Sequence, residues 1–172
     1  MVQELIDLKT FIIEGRYQDA LGIIDELEGM GKQAILRNIE SFLTRLMIHL
    51  IKNQIEQRLT NSWAASIAGS IVEIRKLNLK DNKTSYYINV GEWQPYLEES
   101  LELAIRPASQ EVLNGQLSRA KLSTQLNREQ LLLIAHDLVN LTYCNSVKAL
   151  EEQLDQYLTQ LPGGEAWNTD YC

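Results

Sequence analysis

Apolar residues recur at helical spacing along most of the chain. Val2, Leu5, Ile6, Ile12 and Ile13 form a first stripe, which Gly15 ends. Tyr17, Ala20, Leu21, Ile24 and Leu27 form a second, and Gly29-Met30-Gly31 predicts a sharp corner after it. The third stripe is the clearest. Ile35, Ile39, Phe42, Leu43, Leu46 and Leu50 share one face over several turns, which predicts a helix from about Gln33 to Asn53 with a turning end up to Thr60. Asn61 or Ser62 then offers an N-cap to a helix carrying Trp63, Ile67, Ile71 and Ile74. Ala64, Ala65, Ala68 and Gly69 beside that stripe would admit a close neighbour.

Residues 78–92 break the pattern. Asp81-Asn82 and Gly91 favour turns, and Tyr86–Val90 can be extended, so a long loop with a short strand-like piece is expected. Pro95 suits the first turn of a fifth helix, with Leu97, Leu101, Leu103, Ala104 and Ile105 on its apolar side, and Pro107 is expected to end or kink it. Val112, Leu113, Leu117 and Leu122 suggest short helices. Asn127-Arg128-Glu129-Gln130 predicts a capping box, in which the Gln130 side chain returns to the cap's backbone N–H. Leu131, Ile134, Ala135, Leu138 and Leu141 follow on one face. A last helix from about Ser146 carries Val147, Leu150, Leu154, Leu158 and Leu161 and stops at Pro162-Gly163-Gly164. The expected architecture is a single all-α bundle of about seven or eight helices over residues 1–163. A loose tail would follow at 164–172, with Trp167 and Tyr171 as its anchors. No run of alternating strands supports a parallel nucleotide-binding sheet.

Composition narrows the function classes. The chain has 172 residues and a formal net charge of −7, with 45% hydrophobic and 23% charged residues, as in folded globular domains. Residues 1–31 carry seven acids and two bases, 32–83 nine bases and four acids, and 84–172 twelve acids and five bases. The acidic total argues against nucleic-acid binding, although Arg75, Lys76, Lys80 and Lys83 form a local basic group. Glu4, Asp7 and Lys9 stand where a signal peptide needs an apolar core, and no stretch is long and apolar enough for a membrane span. A cytoplasmic location is therefore expected. With two cysteines, Cys144 and Cys172, no disulfide framework is expected.

Four segments in order carry a resemblance. They are Ile24–Lys32 (IDELEGMGK), Phe42–Asn53 (FLTRLMIHLIKN), Arg58–Ile67 (RLTNSWAASI) and Pro95–Glu99 (PYLEE). Glu26, Leu27, Glu28, Met30 and Gly31 match the first motif. Leu46, His49, Leu50 and Lys52 match the second, and Arg58, Ser62, Trp63 and Ile67 the third. The set resembles a family of small helical bacterial proteins, abundant in cyanobacteria, catalogued as domain of unknown function twenty-nine. The resemblance covers about residues 12–106. Asn53 departs from it, since an aromatic often stands there, and beyond Pro107 the likeness is faint. The resemblance implies an all-helical fold and brings no activity, substrate or catalytic residue.

The candidate chemistry is sparse. His49 falls at the edge of the third stripe, one turn from Arg45, where it can be a base, a switch or a satisfied structural residue. Trp63 heads its helix as a pocket wall or a core residue, and Arg58 just before it can bind an anion or pair with Glu26 or Glu28. Arg45, His49, Arg58 and Trp63 are thus the candidate ligand site. His136 beside Asp137 is a surface position. No His or carboxylate pair has metal-ligand spacing, so no metal or cofactor is expected. Cys144 has no CxxC partner, Ser62 and Ser66 lack a Gly-rich elbow, and no catalytic residue is assigned. Gly15-Arg16-Tyr17-Gln18-Asp19-Ala20 is similar to a tetratricopeptide turn but has no second copy, which favours a single helical corner. The favoured function is a non-catalytic interaction or regulatory module with a protein partner, and its candidate patch is Tyr86, Tyr87 and Trp93. The alternative is a ligand-binding protein or enzyme with a pocket around His49 and Trp63.

Overall fold

The computed structural model describes residues 1–144 and 146–165, and every regular element among them is helical. Seven α-helices are present: α1 (Val2–Ile13), α2 (Tyr17–Glu56), α3 (Asn61–Asn78), α4 (Gln94–Glu111), α5 (Arg119–Gln125), α6 (Arg128–Asn140) and α7 (Val147–Leu158). Short 3₁₀ turns follow α4 and α6. The all-α expectation holds. Of the expected tail at 164–172, residues 166–172, with Trp167 and Tyr171, lie outside the described residues. The chain divides into two compact units, Met1–Arg37 and Asn38–Cys172.

Unit 1 contains α1, the turn at Gly15 and the start of α2. Gly15 takes a left-handed φ of 71°, and the Arg16 backbone N–H donates to Phe11 O at 2.8 Å, so α1 ends where the glycine stands. Ala20 is the buried apolar residue here. α1 has no buried residue at all. Its stripe of Val2, Leu5, Ile6, Ile12 and Ile13 is exposed, while Glu4, Asp7, Leu8 and Phe11 are half-buried.

The corner expected at Gly29-Met30-Gly31 does not form, and α2 runs through it. Neither glycine adopts a positive φ. A glycine inside a helix costs about 1 kcal/mol, which α2 sustains without a break. The helix ends instead at Gln57, whose φ of 53° turns the chain and whose side-chain amide donates to Gln54 O.

Unit 2 builds its core on the second half of α2. Ile39, Leu43, Leu46, Met47, Leu50 and Ile51 are buried there. α3 adds Trp63, Ile67, Ile71 and Ile74, the stripe that the sequence predicts, and packs against α6 and α7. Thr60, not Asn61 or Ser62, caps α3: its side chain accepts from the Trp63 N–H at 3.1 Å. The small residues of α3 do not all mark a close approach, since Gly69 is exposed with open space around it. α4 contributes Leu97, Leu101, Ala104, Ile105 and Ala108, but Leu103 points to solvent at 58% exposure. α4 also continues past Pro107 to Glu111. The Ser109 hydroxyl donates to Arg106 O at 2.7 Å and satisfies a carbonyl near the proline.

The capping box before α6 is rewired. The Asn127 side chain accepts from Gln130 N–H as expected, but Gln54 of α2 takes the other half of the box. Gln54 accepts from Asn127 N–H at 3.0 Å and donates to Asn127 O and to the Gln130 side chain. α7 starts on Ser146, whose side chain accepts from Ala149 N–H. After α7 the chain closes on the α2–α3 turn. A Cβ on Gly164 would lie 2.0 Å from Leu158 O, and one on Gly163 would lie 2.7 Å from Arg58 Cα.

The segment between α3 and α4 has one isolated bridge, Leu79 to Tyr86, in place of a strand. Buried Asn78 organises it: its amide donates to Ile88 O at 2.8 Å and accepts from Ile88 N–H at 2.7 Å. Removing one partner strands buried polar groups. Asn78→Ala should therefore lower the unfolding free energy by about 1–3 kcal/mol in urea titrations. Thr84→Ala, at the exposed tip, should change it by less than about 0.5 kcal/mol.

Candidate functional site

α2 and α3 of unit 2 bring together the four residues that the sequence offers as a ligand site. Arg45 and His49 lie one turn apart on α2, and Arg58 and Trp63 flank the start of α3. The Arg45 guanidinium donates to Ser66 Oγ at 3.3 Å and ties the two helices together. Trp63 is buried, with two cations over its ring: the Arg58 guanidinium at 4.6 Å and Lys52 Nζ at 4.7 Å from the centroid.

Lys52 and its partner Glu111 are the members that composition and spacing did not single out as chemistry. Lys52 is 8% exposed, and its ammonium is bonded to Glu111 at the end of α4. The signal was a lysine and an asparagine following directly on the buried Leu50-Ile51 pair of α2. Asn53, the departure from the family motif, is 2% exposed and donates to both Arg58 O at 3.0 Å and Pro162 O at 2.8 Å. A phenyl ring there could make neither bond. Arg58 pairs with Glu56 at 3.1 Å.

His49 is half-buried, and its Nδ1 lies 2.9 Å from Arg45 O. A carbonyl only accepts, so Nδ1 carries the proton and neutral His49 keeps its lone pair on Nε2. Burial pushes the His49 pKa below its ordinary value. The backbone bond to Arg45 opposes that shift and the charge of Lys52 adds to it.

These distances describe a clamp before they describe a catalytic centre. Each cation over Trp63 has its own carboxylate, Glu111 for Lys52 and Glu56 for Arg58. A cation on an aromatic face contributes about 1 kcal/mol, whereas truncating a buried Trp costs about 3–5 kcal/mol. The weight of Trp63 is therefore in its packing. Among the described residues no group of three His, Cys, Asp or Glu side chains is placed to hold a metal ion.

The aromatic patch proposed for a partner is divided. Trp93 is fully buried, and its Nε1–H donates to Tyr143 Oη at 2.7 Å. Tyr143 Oη donates in turn to Ile88 O at 2.7 Å. Trp93 is thus a core anchor and presents no surface to a partner, because an aromatic-rich loop in so helical a chain has to cover its own apolar floor. Tyr86 is half-buried edge-on against Tyr143, with centroids 4.7 Å apart. Tyr87 is half-buried under Lys80 Nζ at 5.2 Å. Of the basic group near the end of α3, Lys76 pairs with Glu73 and Lys80 covers Tyr87. Cys144 is a half-buried free thiol, and His136 Nδ1 meets the Asn140 amide at 3.1 Å.

The family model described as Domain of unknown function DUF29 matches residues 16–143, well over half of the chain. The match runs past residue 106, where the sequence motifs stop. No curated protein and no solved structure matches the chain.

Two outcomes follow for the clamp. Trp63→Ala should lower the unfolding free energy by about 3–5 kcal/mol, read from urea midpoints; a loss below about 1 kcal/mol would return Trp63 to the role of a pocket wall. His49 should titrate below 6.5 when its ring resonances are followed by NMR. Its folded pKa lies below its unfolded one, so the unfolded state takes up the proton first. Stability then declines as pH falls through about 6.5, and His49→Asn should remove that part of the decline.

Proposed function

We propose that this chain, which belongs to the DUF29 family, is a non-catalytic protein-interaction module whose contact face is the apolar side of α1. One observation carries this reading: α1 buries none of its residues, yet Val2, Leu5, Ile6, Ile12 and Ile13 are all more than half exposed. Scattered apolar residues are ordinary on a surface, but a contiguous helical stripe of them marks an interaction site. The stripe replaces Tyr86, Tyr87 and Trp93 as the main contact, because Trp93 belongs to the core. No described helix is long and apolar enough to cross a membrane, and we place the module in the cytoplasm.

A second reading, a small anionic ligand held by Lys52 and Arg58 beside His49, is favoured by the convergence of those two cations at Trp63. Millimolar inorganic phosphate should then move the His49 ring resonances, and unmoved resonances would remove it.

The interaction reading is tested in the native cell with a photo-reactive residue at Ile12. It should give a discrete heavier adduct that vanishes when Leu5→Asp is added. The same residue at Leu103, an equally exposed apolar position of α4, should give none. Equal yields from the two positions would overturn the reading.

A further inference from the structure

The apolar face of α1 has one charge in its middle. Val2, Leu5, Ile6, Lys9, Ile12 and Ile13 follow helical spacing and occupy about a third of the circumference. Leu5, Leu8, Lys9, Ile12 and Ile13 line a groove along it. Glu4, Asp7 and Phe11 lie on the opposite side of the same helix. Lys9 is exposed, and among the described residues it has no ion pair, hydrogen bond or ring contact. Arg16 of the same unit, by contrast, reaches Asp19 at 2.8 Å and Glu14 at 3.5 Å.

We propose that the groove on α1 receives an amphipathic helix of another protein, one that carries a carboxylate within its apolar stripe, placed to meet Lys9. This rests on the interaction reading above and names the partner's chemistry. A lysine lays its methylene stem along apolar surface and keeps its ammonium at the rim. A docked helix that covers the stem removes water from the ammonium, and an unpaired cation in such an interface is costly. A carboxylate opposite it removes that cost and fixes the register, as single polar positions do in paired helices. A second copy of this chain fits poorly. A parallel two-fold pairing of α1 with itself would set Lys9 against Lys9, and an antiparallel one centred on the helix would set it against Ile6, in either case on a face without a carboxylate. Helix-in-groove recognition needs nothing beyond apolar anchors at i, i+3, i+4 and i+7 plus this one charge.

The test uses the full chain and three synthetic 14-residue helical peptides with an identical leucine stripe. Their central stripe position is Glu, Lys or Leu. Fluorescence anisotropy should show the Glu peptide binding about tenfold more tightly than the Lys peptide. On Lys9→Glu the order should reverse, and Leu5→Asp with Ile12→Asp should abolish all three. Circular dichroism should be unchanged in each variant, since the substituted positions are exposed. An unchanged order on Lys9→Glu would overturn the carboxylate-bearing partner while leaving the docking face intact. Binding that survives the double Asp variant would overturn the face itself. Sedimentation showing a dimer that Leu5→Asp dissolves would assign the groove to a second copy. Retention on phosphatidylcholine vesicles without peptide binding would assign it to a lipid surface.

Discussion

A helical core has no ladder to lend to irregular backbone, and that constraint organises unit 2. Any non-helical peptide group brought inside must find a side chain, because a buried unpaired amide or carbonyl costs more than a typical hydrogen bond returns. Two side-chain amides answer it, and a third holds an exposed helix start. Asn78 takes both polar groups of Ile88. Asn53 joins the α2–α3 turn to the loop after α7 through two carbonyls. Gln54, beside it, serves the backbone of Asn127 at the start of α6. Each sits at or near the end of a helix whose stripe already fixes its direction, so the amide need only reach a loop that packing has brought near.

The same constraint decides what the aromatic segment can do. Ile88 and Trp93 are buried, so the loop between them must be held at both ends. Trp93 donates to Tyr143, Tyr143 donates to Ile88 O, and Asn78 bonds Ile88 from the other side. The chain of bonds joins α3, the loop, the start of α4 and the turn after α6. A residue committed to such a network is poorly suited to contact a partner, since displacing it would expose the network as well. The Trp63 clamp follows similar logic. Its two cations are balanced inside the unit by Glu111 and Glu56, which leaves little uncompensated charge for a ligand.

How far the sequence foretold this varies with the physics involved. Period and breakers placed α1, α3, α6 and α7, because a helix that gathers its apolar side chains on one face writes that face directly into spacing. Gly29-Met30-Gly31 misled, because a glycine's cost of about 1 kcal/mol yields to a helix with enough turns on either side, and of the end or kink expected at Pro107 the end does not occur. The capping box was half legible. The Asn127 cap is local, whereas its Gln54 partner lies 73 positions away and no local pattern encodes it. The site was legible as four residues and illegible as a clamp. Arg45, His49, Arg58 and Trp63 are visible as types, but the pairing of Lys52 with Glu111 depends on where α4 ends. An end at Pro107, one of the two outcomes expected there, would leave Glu111 outside α4.

The contrast between the two units is one of where apolar surface goes. In unit 2 every apolar stripe that the spacing predicts is substantially buried, and the exceptions are single residues such as Leu103. In unit 1 the relation inverts: α1 holds two acids at half-buried positions and turns its isoleucines outward. Each exposed Leu or Ile forgoes about 1.5–3 kcal/mol that burial would return. Val2, Leu5, Ile6, Ile12 and Ile13, each half to three-quarters exposed, together leave a driving force of about 5 kcal/mol or more on one helical face. Helix propensity does not explain the choice, since β-branched isoleucine is a weaker helix former than leucine or alanine. A face so composed is stabilised by whatever covers it, and the lone Lys9 at its centre selects among the helices that can.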